Sequence, residues 1–227
     1  MESRVFRFPS GHISHELLEK AASAEAGMAF QREMYACGQE LGAVLSDRSP
    51  EGFKKVCIVT SALDADGLAR GVADFLRANG IEVKLLCYWS HPEKVYDAGV
   101  NVAPILRAFE EPGVDQCEHL VAVQSIAGDI ATIKTNITAA LQLLTPKSIQ
   151  VLSPVLHTDF RKSLLKQFPE SMNCLFDFHV FAEDADLNAE TGELKPGLDG
   201  LEMARMGIPA GKPYLGFPLS VMELLQA

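Results

Sequence analysis

The stretch Val56-Cys57-Ile58-Val59-Thr60 decides how the rest of the sequence is read. Four of its five residues are β-branched, and apolar and polar side chains do not alternate along it. A strand with one wet face alternates; an unbroken apolar run belongs in a sheet covered on both faces, the usual setting of parallel strands. Ahead of it, Ser46-Asp47-Arg48-Ser49-Pro50-Glu51-Gly52 is a turn-rich connector. Behind it, Leu68, Val72, Phe75 and Leu76 share one helical face, and Asn79-Gly80 ends that helix as a left-handed cap. Val83 to Tyr88 reads as the next strand, followed by similar runs at Leu120–Val123, Ile149–Val155 and Phe178–Ala182. The spacing predicts one intervening helix through Leu144, stopped by Thr145-Pro146, and another from an Asp159 cap to Phe168. Strands alternating with helices of this length make an α/β fold, a mostly parallel central sheet flanked by helices.

Residues 1–48 precede that first run and read as a helical arm, with Ile13, Leu17, Leu18 and Ala21 and then Phe30, Met34, Cys37, Leu41 and Leu45 at helical spacing. The apolar stripe suggests a self-associating surface and hence a homodimer or larger homo-oligomer. Ser90 to Glu118 is the least regular stretch and reads as a mobile flap. Ligands of open parallel sheets bind outside the carboxyl ends of the strands, so the segments after Thr60, Tyr88, Gln124, Val155 and Ala182 are where chemistry is sought.

With 227 residues, 48% of them apolar, the chain is expected to form a single domain over 1–227. Thirty acidic against twenty basic residues give a net charge of −10, which disfavours general nucleic-acid binding. No apolar run reaches the roughly 20 residues of a membrane helix, and MESRVFRFPSG lacks the apolar block of a signal peptide, so the expectation is a cytoplasmic protein without a membrane span. Cys37, Cys57, Cys87, Cys117 and Cys174 are widely spaced and read as reduced core or near-core residues. The six histidines offer no metal-ligand spacing on a credible site, and Ser61 and Ser125 lack a G-x-S-x-G context.

Near the C-terminal end, Asp186-Leu187-Asn188-Ala189-Glu190-Thr191-Gly192-Glu193-Leu194-Lys195-Pro196-Gly197-Leu198-Asp199-Gly200 resembles the base-recognition segment of uracil phosphoribosyltransferases, G-L-N-E-H-G-Y-I-V-P-G-L-G-D-A-G-D. Leu141 to Val155, Lys162-Ser163-Leu164-Leu165 and Phe168-Pro169-Glu170 resemble that family's I-D-L-L-K…I-K-V-L-V-L-V…A-L…H-P-D in order and spacing. Phe30-Gln31-Arg32 with Gly38 and Leu41 is similar to its F-R…G-x-L helix. The resemblance covers about residues 30 to 208 and implies a type I phosphoribosyltransferase fold with a small C-terminal hood over 183–217. It also implies phosphoribosyl pyrophosphate and Mg2+ as reactant and cofactor, a pyrimidine-type base, and a dimer or larger assembly.

Each part of that chemistry has a counterpart here, and most are altered. The family's D-P-M-L-A-T-G-G-S supplies an acid to the ribose hydroxyls and small residues whose amides wrap the 5′-phosphate. In this chain Gln124 stands at the acid and no T-G-G-S follows; Gly128, Asp129, Thr132, Lys134, Thr135 and Asn136 are the phosphate- and ribose-binding candidates. The plainer reading makes Thr135 or Asn136 a helix cap and leaves Lys134 in solvent. The family's P-I-L-R-A-G, which holds pyrophosphate, is replaced by Thr60-Ser61-Ala62-Leu63-Asp64-Ala65-Asp66-Gly67. Leu63 displaces the arginine, while Asp64 and Asp66 are either metal candidates for Mg2+ or helix caps. Pro104-Ile105-Leu106-Arg107-Ala108-Phe109 nearly spells the lost motif but lies too late in the chain.

A Y-R pair has become Tyr88-Trp89, and Trp89 either stacks on a ligand or packs in the interior. Lys195, Pro196, Gly197, Leu198 and Asp199 are the base-binding candidates, through backbone groups; Glu202 stands near the family's second aspartate. Three readings remain. The chain transfers phosphoribosyl to a pyrimidine-type base; or it is a non-catalytic nucleotide-binding or assembly protein; or it acts on another phosphorylated substrate through Lys134, Thr135 and Asp129.

Overall fold

A computed structural model describes residues 4–50, 52–91, 93–95, 100–128, 130–188, 191, 193–209 and 213–226. Its first element is a short strand, β1 (Arg4–Phe6), followed by α1 (Ile13–Ser23) and α2 (Met28–Arg48). β2 (Lys55–Ser61) leads through one π-helical turn, Ala65–Ala69, into α3 (Arg70–Ala78). β3 (Glu82–Ser90) is followed by the hairpin β4 (Glu93–Val95) and β5 (Val100–Val102), and by β6 (Ile105–Glu110). Then come β7 (His119–Val123), β8 (Ile126–Ala127), α4 (Ala131–Ala140), β9 (Ser148–His157), α5 (Phe160–Leu165) and β10 (Phe176–Asp184). The C-terminal part holds the small ladder β11 (Asp186–Leu187) with β12 (Leu194–Lys195), one turn of helix α6 (Glu202–Arg205), and α7 (Leu219–Gln226).

Eight strands form the central sheet in the order β1-β10-β9-β7-β2-β3-β6, with β8 also on β9. The inner strands β10, β9, β7, β2 and β3 are parallel, and the edges β1 and β6 are antiparallel. The Val56–Thr60 run therefore sits between two parallel neighbours. Its alternate side chains enter two cores: Val56 and Ile58 pack with α1, α2 and α3, while Cys57 and Val59 pack with α4 and α5. This is the both-faces burial that the unbroken apolar run demands.

Where α2 crosses α3 the backbones nearly touch. A methyl group on Gly38 would lie 2.2 Å from the Leu68 carbonyl oxygen, and one on Gly71 would lie 2.1 Å from that of Tyr35. Glycine at both positions lets two helices meet without side chains between them.

Several expectations are corrected. The arm of residues 1–48 is not wholly helical, because β1 pairs with the end of β10, Arg4 opposite Asp184. Three residues are too few to show a strand period. The arm's stripe is no free surface either: Leu18, Ala21, Phe30, Met34, Cys37, Leu41 and Leu45 lie in the main core. An apolar stripe has the same pattern whether the chain's own sheet or another copy covers it. Within Ser90–Glu118 the described residues include β4, β5 and β6, so much of the stretch expected to be irregular is strand. Arg107 of the near-match motif is on edge strand β6, beyond β3, rather than after β2. α4 ends at Ala140 and continues as turns, and α5 ends at Leu165. Gly80 has φ +78°, the left-handed cap expected after α3. The described part contains no helix long and apolar enough to cross a membrane.

Candidate functional site

β2 and β7 are neighbours in the middle of the sheet, and their carboxyl ends carry the polar residues that the resemblance singles out. Ser61 closes β2, and Asp64 follows in the tight turn before the π-helical turn. The Asp64 side chain is fully buried. Its Oδ2 accepts from the Ser61 hydroxyl at 3.3 Å and from the Ser125 N–H at 3.2 Å. The Glu202 carboxyl of α6 meets the same group, and Asp64 Oδ1 has no hydrogen-bond partner among protein atoms. Burial raises the Asp64 pKa above the ordinary carboxylate range, outweighing the contacts from Glu202, Ser125 and Ser61 that favour its charged form.

The sign of the resulting pH dependence is fixed. A raised folded-state pKa adds stability below the ordinary value of 3.8, and that stability is lost as pH rises through the raised value. Asp64→Asn removes the titration while keeping a neutral, hydrogen-bonding side chain. Relative to wild type, its urea midpoint should rise steadily as the pH is raised from about 4. A difference that stays constant as the pH rises would contradict the raised Asp64 pKa.

Asp66 has a different task. Its carboxylate accepts from the N–H groups of Leu219 and Ser220 at 2.7 and 2.8 Å and from the Ser220 hydroxyl at 2.7 Å. It thus caps α7, a helix from the far end of the chain. No group of three or more His, Cys, Asp or Glu able to hold a metal occurs among the described residues. Asp64 and Asp66 do not fit a Mg2+–pyrophosphate group: one is buried against another acid, and the other has its oxygens committed to a helix end.

After β7, the Gln124 amide nitrogen donates to the Ile126 carbonyl at 3.0 Å, while its side-chain oxygen has no protein partner. Ile130 is the N-cap residue of α4, so Ala131 to Lys134 form the first turn and Thr135 and Asn136 lie inside the helix rather than capping it. Thr132 and Asn136 are buried, and Asn136 Oδ1 accepts from the Ser90 hydroxyl at 2.7 Å. Gly128 and Lys134 are half-buried on either side of the helix start, and Asp129 lies outside the described residues.

The base-binding candidates form a tight loop with a cis Lys195-Pro196 bond and positive φ at Gly197, Asp199 and Gly200. Gly197 has φ +56°, and a side chain there would lie 2.1 Å from the Leu194 carbonyl oxygen, so the turn requires glycine. Its N–H donates to Asp184 Oδ2 at 2.8 Å, and its carbonyl accepts from Arg4 Nη2 at 2.6 Å. Arg4 in turn grips Asp184 through Nε and Nη2 at 2.8 and 2.7 Å. The donor and acceptor expected to read a base edge are thus engaged by the chain itself. Leu198 is buried, and Lys195 pairs with Glu193 at 3.3 Å.

Two further residues hold the C-terminal segment in place. Arg205 is buried, lies 4.7 Å from the centre of the Phe30 ring, and donates to the carbonyls of Ala21 and Ala24 at 2.7 and 2.8 Å, satisfying the end of α1. Trp89 is buried and gives its indole N–H to the Gly216 carbonyl at 2.7 Å, which is the packed role for this residue. Between the segment, the turn after β2 and the start of α2 lies a cavity of about 220 Å³ that includes Met28, Gln31, Leu63, Met206, Ile208 and Tyr214 in its wall. Arg4, Asp184 and Arg205 were not singled out from the sequence. The only local signal was an aspartate closing an apolar strand.

The solved structures similar to this chain include a hypothetical protein from Neisseria gonorrhoeae with bound ppGpp, at 11% identity over 68% of this chain and 80% of that one, with a TM-score of 0.43. They also include a hypoxanthine-guanine phosphoribosyltransferase from L. donovani, at 13% identity over 83% and 88%, with a TM-score of 0.39. A hypoxanthine phosphoribosyltransferase from Trypanosoma cruzi in complex with IMP matches at 14% identity over 68% and 77%, with a TM-score of 0.40. Neither the protein-family models nor the curated proteins contain a match.

Proposed function

We propose that this chain is a divergent, phosphoribosyltransferase-like protein that binds a small pyrimidine-type base or nucleotide at the carboxyl ends of β2 and β7 and does not transfer a ribosyl group. The observation that carries this reading is the internal engagement of the groups on which transfer would depend. Asp66 caps α7, Asp64 faces Glu202, and Gly197 is held by Asp184 and Arg4. Transfer depends on charges and donors aimed at the developing oxocarbenium ion and the leaving pyrophosphate, and loss of one such donor costs about 10²–10³ in rate. Leu63 offers no charge where pyrophosphate would sit, and Gln124 no acid for the ribose.

Ligand binding is supported by what remains open. The 220 Å³ cavity is large enough for one ring, and its wall combines methionines and Leu63 with one amide, Gln31, and one phenol, Tyr214. Gly128 and Lys134 supply a backbone point without a side chain and a cation near the start of α4 for a phosphate.

Calorimetry with uracil, uridine monophosphate, inosine monophosphate and phosphoribosyl pyrophosphate, each with and without Mg2+, tests both halves. Binding of a base or monophosphate without pyrophosphate release is the expected result, with weaker monophosphate binding in Lys134→Ala. Turnover of phosphoribosyl pyrophosphate would overturn the non-catalytic reading. Absence of binding by all four would overturn the ligand.

A further inference from the structure

Between Leu215 and Leu225 five large apolar side chains face solvent: Leu215, Phe217, Leu219, Met222 and Leu225, each between 37% and 64% exposed. Three of them belong to α7, and their spacing is informative. At 100° per residue, Leu219, Met222 and Leu225 fall on one arc, while Val221 and Leu224 fall on the adjoining one that turns towards the core. Val221 is fully buried and Leu224 packs against the main core. An eight-residue helix whose apolar arc extends well beyond the part that meets the core leaves apolar surface for a second contact.

We propose that a second copy of this chain docks on the outward face of α7. Self-association requires a patch that tolerates its own image, and charge is the first obstacle for a chain of net charge −10. The arc of α7 carries none: the helix's sole charged residue, Glu223, is on its flank and pairs with Arg70 at 3.2 Å, while the wider patch meets a charge at Arg107, whose guanidinium lies 4.6 Å from the centre of the Phe217 ring. Area supports the same occupant. The five side chains together expose on the order of 500 Å² of apolar surface, close to the apolar share of the ~800 Å² that each partner buries in a stable dimer. The surface is also built to stay in place, because Asp66 caps α7, Trp89 holds the Gly216 carbonyl, and the Phe217 ring lies 5.5 Å from that of Trp89.

Sedimentation velocity on the full chain tests the proposal. Dimer is expected at about 50 µM, with association about 100-fold weaker in Leu219→Lys/Leu225→Lys. Both positions are exposed, so the far-UV circular dichroism of the variant should match wild type, as should its urea midpoint at concentrations well below those that form dimer. Ile13→Lys, at an exposed residue of α1, should leave the dimer intact. A wild-type chain that stays monomeric at that concentration would overturn the proposal. So would a dimer that survives the double lysine variant or is lost on changing Ile13.

Discussion

Asp184→Ala is expected to lower the stability of the protein by about 3–5 kcal/mol, read as a fall in the urea midpoint. The Asp184 side chain is fully buried and receives three hydrogen bonds, two from Arg4 and one from the Gly197 N–H. Truncation leaves the Arg4 guanidinium, itself only 16% exposed, without its counter-charge, and strands a buried backbone N–H. Removing both charges together costs less than removing one, so Arg4→Met/Asp184→Leu should lie above Asp184→Ala in stability. If the single alanine variant unfolded within about 1 kcal/mol of wild type, the grip of Arg4 and Asp184 on the loop would be an ordinary surface pair.

Gly71→Ala should cost about 3 kcal/mol or more, near the upper end of what overpacking does. Two effects oppose each other here. Alanine in place of an exposed helical glycine stabilises by about 0.5–1 kcal/mol through backbone entropy. At Gly71 the added methyl would lie 2.1 Å from the Tyr35 carbonyl oxygen and 3.0 Å from the Gly38 Cα, so α3 would have to move away from α2. Neither contact is the end of a flexible side chain, and the steric effect wins. The sign of the measured change decides the matter, since a gain in stability would mean that the helices separate freely.

The sheet was legible from the sequence because its inner strands are buried on both faces, and only a continuous apolar run meets that demand. Val56–Thr60, Leu120–Val123 and Ile149–Val155 all sit where that pattern puts them. The edges were not legible. β1 is three residues long, and β6 mixes charged and apolar residues because most of it meets water. Helix starts were blurred for a similar reason: α4 begins at Ala131, and its N-cap residue Ile130 has no side chain that can cap it, so the polar cluster Thr135-Asn136, which looks like a cap, is inside it.

The site was legible as a place and not as a set of bonds. Asp64, Asp66 and Gly197 were noticed, and all three lie at the carboxyl end of the sheet or in the loops that meet it. Their partners Glu202, Ser220 and Arg4 come from distant parts of the chain, and Asp184 lies 13 positions before Gly197, beyond the reach of helix or strand spacing, so local spacing carries no trace of such pairs.

The bond between Arg4 and Asp184 joins residues 180 positions apart. A chain growing from its N-terminus therefore exposes Arg4 long before any carboxylate exists to receive it. Until β10 has been synthesised, β1 has no neighbour, and until the loop at Gly197 follows, the strand end has no cover. Contacts of such long range slow folding. The interval also leaves a sheet edge open to other chains. Ribosome-bound chains halted just before residue 184 should accordingly be far more sensitive to proteolysis than chains released whole, with the difference arising at the sheet's β10 edge.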